Sequence, residues 1–144
     1  RTILFACMQA SLADWASIGT LIPAKGSTAM RKEHGRRLAH MAERAAELLA
    51  EAGRVHCGGV DGALVDQELR ATLAVLRHAC RRGEVMLARH HGRAIVRGCR
   101  DLAADMAKII ERDRALWLAR SRRGGLASST AYYGRILREY GRES

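Results

Sequence analysis

Three long stretches of the chain carry apolar residues at helical spacing, with polar residues filling the positions between. Over 29–52, Met30, Leu38, Met41, Ala45, Leu48, Leu49 and Ala52 share one face, while Arg31, Lys32, Arg36, Arg37, Glu43 and Glu51 lie mainly outside it. Over 63–91 the buried side is expected at Leu64, Leu69, Leu73, Leu76, Cys80, Met86 and Leu87. Gly83 interrupts that run at a cost of ~1 kcal/mol relative to alanine, which long flanking turns can absorb, so the helix is expected either to continue through it or to bend or break there. Over 94–120 the stripe is Ile95, Cys99, Leu102, Met106, Ile109, Ile110, Leu116 and Trp117, with Asp105, Glu111 and Asp113 balancing arginines on the outer side.

Punctuation between these stretches supports the same division. Ser27 or Thr28 can cap the first long helix with its hydroxyl, and Gly53 stops it. Gly58, Gly59 and Gly62 mark a loop, with Asp61 as the expected N-cap of the second helix, and Gly92 separates the second helix from the third. Gly124-Gly125 ends the third, and Ser128 or Ser129 is expected to cap a final short helix through Tyr132, Tyr133, Ile136, Leu137 and Tyr140. At the other end, Ile3, Leu4, Met8, Leu12, Trp15 and Ile18 predict a short helix, followed by a loop at Gly19, Pro23 and Gly26. The expectation is an all-α protein: an antiparallel bundle of three long helices with a shorter helix at each end. Residues 1–28, the short helix and loop, read either as a buried helix or as the end of an upstream domain, and 29–144 as the helical bundle domain.

Composition sharpens this picture in two places. The net charge is +10, and only Lys25, Lys32 and Lys108 among the 25 basic residues are lysine. Alanine, arginine and glycine enriched together suggest a coding bias as readily as a basic binding surface. An arginine-rich, stand-alone nucleic-acid-binding or oligomerising protein is the alternative class, but no aromatic-rich strand, basic heptad region or helix-turn-helix supports nucleic acid as partner. No run of about 18 apolar residues occurs, so no membrane span is expected. Cys7, Cys57, Cys80 and Cys99 contain no C-x-x-C pair, and Cys80 and Cys99 fall at apolar helical positions as buried thiols. The opening Arg1–Cys7 superficially resembles the end of a signal segment, although its apolar run is short and the preceding basic region is incomplete. The expected compartment is the cytoplasm.

Chemistry-bearing patterns are few. His34, His40, His56, His78, His90 and His91 include no pair four apart with a glutamate between, so no metal site is expected. Nucleophile-elbow and P-loop patterns are absent. Asp101, Asp105, Glu111 and Asp113 have the spacing of a solvated helix face, not of paired carboxylates across a cleft. Gly124-Gly125 beside Arg120, Arg122 and Arg123 can offer backbone N–H groups to an anion, but a helix stop is the simpler role. No catalytic residue and no cofactor is expected in this chain.

One stretch carries a family signal. Arg114, Leu116, Trp117, Leu118, Ala119, Arg120, Arg122, Gly124, Gly125, Leu126 and Ser129 match a run of the form R-x-L-W-L-A-R-N-R-P-G-G-L-x-D-S. That run resembles the C-terminal helical segment of bacterial β-N-acetylhexosaminidase-like proteins of glycoside hydrolase family 20. Ser121 stands where asparagine is usual, Arg123 replaces proline and Ser128 replaces aspartate. The stretch 73–83, with His78-Ala79-Cys80-Arg81-Arg82, is similar in a looser way. The resemblance implies an accessory or structural domain of a carbohydrate-active enzyme, with an upstream catalytic barrel of the same polypeptide as partner. It implies an N-acetylhexosamine-containing substrate for the whole enzyme, cleaved by a barrel-borne Asp-Glu pair that this chain lacks. Trp117 and Arg120 are the residues it offers as substrate-binding.

Overall fold

A glycine or a loop stands wherever the apolar periodicity breaks, and the helices begin and end at these points. The computed structural model describes residues 7–8, 10–12, 28–120 and 125–143. Four helices account for most of them: α1, Thr28–Ala52; α2, Gly62–His90; α3, Val96–Arg120; and α4, Leu126–Arg142. The protein is all-helical, with no strand among the described residues. No described helix is long and apolar enough to cross a membrane. Most of the expected N-terminal helix and loop, the Ser27 cap and Gly124 lie outside the described residues.

Two helix starts differ from expectation. Asp61 does precede α2, and its carbonyl accepts the N–H groups of Leu64 and Val65, but its side chain makes no capping bond. The carboxylate instead lies 3.7 Å from Arg120 Nη1. Helix α4 begins at Leu126, so Ser128 sits inside its first turn and does not cap it, while the side chain of Ser129 lies outside what is described. The N-cap position belongs to Gly125, at φ 88°, a left-handed conformation that side chains with a Cβ rarely adopt. Gly62 is required for a different reason: a Cβ there would lie 1.9 Å from the Cys57 carbonyl oxygen.

Gly83 is not a break. Helix α2 runs through it without interruption, and a Cβ at this position would meet Cys7 Sγ at 2.9 Å and Leu38 Cδ1 at 3.1 Å. The missing side chain lets α1 and the N-terminal segment approach the α2 backbone, and their dense packing offsets the propensity cost.

Contacts between the helices join residues far apart in the chain. Along α1 and α2, Gly35 faces Leu87, Leu38 faces Gly83, and the Ala52 carbonyl accepts a bond from Arg70 at 3.3 Å. Along α2 and α3, Val85 lies over Gly98, Arg77 pairs with Asp105 and Glu68 pairs with Arg120. Helix α4 packs on α3, with Gly125 at its start against Trp117, and Glu143 just past its end pairs with Arg89 of α2. One apolar cluster joins all of them, including Leu38 of α1, Met86 of α2, Leu102 and Met106 of α3, and Ile136 of α4. Cys7, Met8 and Leu12 are buried in that same cluster.

The buried side of α2 follows the expected stripe only in part: Leu73, Cys80 and Met86 are buried and Leu87 packs against the core. Leu69 and Leu76 are 45% and 38% exposed, whereas Asp66, His78 and Arg82 are buried. Asp105, expected on the outer side of α3, is only 15% exposed at its side chain. Helix α2 touches both α1 and α3 and also receives α4, so more than one of its faces is covered, and the polar residues on those faces find partners there.

Candidate functional site

Helical spacing places Asp113, Leu116, Trp117 and Arg120 on one face of α3, and Glu68, Thr72 and Leu76 on one face of α2. Where these faces diverge they leave a groove of about 450 Å³, closed along one side by Tyr133 of α4. Trp117 and Arg120, the two residues offered by the sequence, both line it. The indole is half-buried, and its Cζ2 comes so close to Gly125 that a Cβ there would stand 3.1 Å away. Gly125, the N-cap of α4, therefore also seats the tryptophan.

Arg120 is engaged. Its Nε donates to Glu68 Oε1 at 2.8 Å and its Nη2 to Glu68 Oε2 at 3.0 Å, a bidentate pair across the groove mouth. The hydrogen bonds and charge of Arg120 hold the Glu68 carboxyl below the usual carboxylate range. Both side chains are about two-fifths exposed, at 41% and 39%, so a ligand can reach the pair from solvent. Asp113 and Arg112 add polar groups to the same wall. Burial, and after it the charge of Asp113, pushes the Tyr133 phenol up, so its hydroxyl stays protonated at neutral pH.

Beyond the groove lies a polar network that the periodicity of the chain did not point to. His78 of α2 places Nδ1 2.9 Å from Asp105 Oδ2 of α3 and Nε2 2.8 Å from the Tyr140 hydroxyl of α4. Burial lowers the affinity of His78 for a second proton, and the opposing pull of Asp105 does not overcome it. For Asp105, burial pushes upward, but the hydrogen bond and charge of His78 with the charges of Arg77 and Arg81 leave it below its ordinary value. With His78 neutral and Asp105 ionised, Nδ1–H donates to the carboxylate and Nε2 accepts from Tyr140. Burial pushes the Tyr140 phenol far up, which keeps that donor in place.

One helical turn on, Arg82 is 1% exposed and makes three strong contacts. Its Nε donates to the Cys7 carbonyl at 2.8 Å, and its Nη2 to the Ala10 carbonyl at 2.8 Å and to Glu139 Oε2 at 2.6 Å. Glu139 Oε1 accepts from the Leu12 amide at 2.6 Å and from the Ser11 hydroxyl at 2.9 Å. Tyr140 lies under the guanidinium, 5.1 Å from Cζ to ring centroid. His78 and Tyr140 are both 0% exposed, so no substrate reaches them. The network ties α2, α3, α4 and residues 7–12 to one another, and its role is structural. Its signal in the sequence was the i, i+4 pair His78 and Arg82 within the stretch 73–83.

Other expected groups are inert in this arrangement. Burial pushes the Cys7 and Cys80 thiols up to about 11, so neither is a thiolate at neutral pH. Exposed Cys57 and His56 both turn to Asp66, through the Cys57 amide at 2.9 Å and His56 Nδ1 at 3.4 Å. Among the described residues, no three His, Cys, Asp or Glu side chains converge to hold a metal ion. The Gly124 turn with Arg122 and Arg123 lies outside the described residues. The chain matches no protein-family model, no curated protein and no solved structure.

Proposed function

We propose that this chain is a helical accessory domain of a glycoside hydrolase similar to the β-N-acetylhexosaminidases of family 20. On this reading it is not catalytic alone, and it presents Trp117 and Arg120 to an N-acetylhexosamine-containing substrate beside an upstream catalytic barrel of the same polypeptide. The resemblance at 114–129 motivates the reading, and the groove is the observation that carries it. A pyranose has apolar C–H faces that stack on an indole and an equatorial ring of hydroxyls that need paired donors and acceptors. The groove offers an indole beside the Arg120–Glu68 fork, with Asp113 and the Tyr133 ring along its wall.

A second feature supports an enclosing partner. Val65, Leu69 and Leu76 recur on one face of α2 and remain 39%, 45% and 38% exposed, an apolar strip next to the groove that a barrel surface would cover. The architecture belonging to this proposal is an antiparallel bundle of three long helices, α1 to α3, with α4 and an N-terminal helix as the shorter flanking elements. Cytoplasmic placement belongs to it as well.

Titration with N,N′-diacetylchitobiose, followed by tryptophan fluorescence and by NMR shifts of the Trp117 indole, tests the binding step. Saturable shifts that disappear in Trp117→Ala and weaken in Arg120→Ala are expected. Absence of any shift, or shifts confined to Trp15, would overturn it. The isolated chain should release no nitrophenol from a nitrophenyl N-acetylglucosaminide. A natural reading frame that begins immediately before Arg1 would remove the barrel from the proposal.

A further inference from the structure

A second groove, of about 320 Å³, lies on the other side of α4, between that helix and Met8, Ala10 and Ser11. Arginine dominates it: Arg135, Arg138 and Arg142 come from α4, and Arg82 lines it from α2. Positions 135, 138 and 142 follow an i, i+3, i+7 spacing, which stacks three like charges on one face and costs the helix some stability. In α1 the exposed arginines do find glutamates of their own helix, Arg36 and Arg37 with Glu33 and Arg44 with Glu47. Arg135, Arg138 and Arg142 have no ion pair among the described residues, and Arg135 lies over the Tyr132 ring, 5.3 Å away.

Glu139 is the single carboxylate lining the groove among the described residues, and both its oxygens are already committed, to Leu12 and Ser11 on one side and Arg82 on the other. It balances one arginine of the four. Arg82, at 1% exposure, keeps its Nη1 without a hydrogen-bond acceptor. A buried unsatisfied guanidinium nitrogen is costly, and such groups are filled by a partner in nearly all folded proteins. Fixed positive charge around a concave surface, with a buried donor short of an acceptor, is the arrangement that recognises an oxyanion.

We propose that this groove binds a small oxyanion of the phosphate class, gripped by Arg138 and Arg142 at the rim with Arg135 beside them and Arg82 supplying charge from beneath. The site is independent of the Trp117 groove and of any saccharide function.

Calorimetric titration with inorganic phosphate, at ionic strength held constant with sodium chloride, tests this. Saturable binding is expected, and Arg138→Ala/Arg142→Ala should weaken it by at least about tenfold, since charge-assisted bonds to both arginines are lost. These side chains are exposed, so the variant keeps its fold, which circular dichroism verifies. Arg97→Ala/Arg100→Ala removes the same charge from an exposed part of α3 and should leave the phosphate affinity unchanged. Equal loss in both variants would reduce the effect to screening of a highly basic protein and overturn the proposal. Absence of saturation by about 10 mM phosphate would overturn it equally. Glycerol 3-phosphate distinguishes the source: tighter binding than inorganic phosphate assigns the site to an esterified phosphate, weaker binding to the free anion.

Discussion

Removing Arg82 is the most informative perturbation of the fold. In Arg82→Met the side-chain volume is roughly kept, but the bonds to the Cys7 and Ala10 carbonyls and to Glu139 are lost. Glu139 then holds a negative charge, 23% exposed, with only the Leu12 amide and the Ser11 hydroxyl to stabilise it. Breaking one side of a buried ion pair costs about 3–5 kcal/mol. With roughly 3 °C of melting temperature per kcal/mol for a chain of this size, Tm should fall by about 10 °C. Glu139→Leu strands the guanidinium instead and should cost a similar amount. The double variant leaves backbone groups unpaired but no orphan charge, so its loss should be close to that of either single variant. Urea unfolding of all four proteins gives the coupling energy. Losses that simply add, with coupling under about 0.5 kcal/mol, would refute the ion pair as the fastener of residues 7–12 to α4.

Three further outcomes follow from the same structure. Because the folded His78 has a lowered proton affinity, the unfolded chain binds the proton first; stability from this group is complete above the ordinary value of about 6.5 and is lost as pH falls below it. Tm should therefore drop between pH 7.5 and pH 5.5, and His78→Gln, less stable at neutral pH, should show a flatter profile over that interval. Asp105 and Glu139, both held below their ordinary values, add a separate loss only as pH falls through the carboxylate range and below it, visible as acid unfolding that Asp105→Asn shifts. Gly62→Ala drives a Cβ into the Cys57 carbonyl and should destabilise by more than about 2 kcal/mol in a chemical melt, whereas Arg120→Gln breaks an exposed pair and should cost less than about 1 kcal/mol.

The helices and their limits were legible because they depend on local chemistry. A 3.6-residue apolar period and the glycines at 53 and 92 mark where α1 and α2 end, Gly125 stands at the start of α4, and Cys99, Leu102, Met106 and Ile109 are buried as their spacing on α3 predicts. The groove was partly legible too, since Trp117 and Arg120 share a helical face, but Glu68, the residue that engages Arg120, lies 52 positions away.

Sequence alone determined the all-helical character, the long helices and their punctuation, since each is settled by neighbours within a few residues. Tertiary structure decided which faces became interior. Helix α2 is covered on more than one side, so Leu69 and Leu76 stay outside while His78 and Arg82 are buried, each hydrogen-bonded to partners 27 to 75 positions distant. Burying a polar group is tolerable only when its hydrogen bonds are made, and those bonds exist only once the helices have packed. Gly83 shows the same division: locally it is a weak point in a helix, and in the packed protein it is where α1 and residues 7–12 come closest to α2.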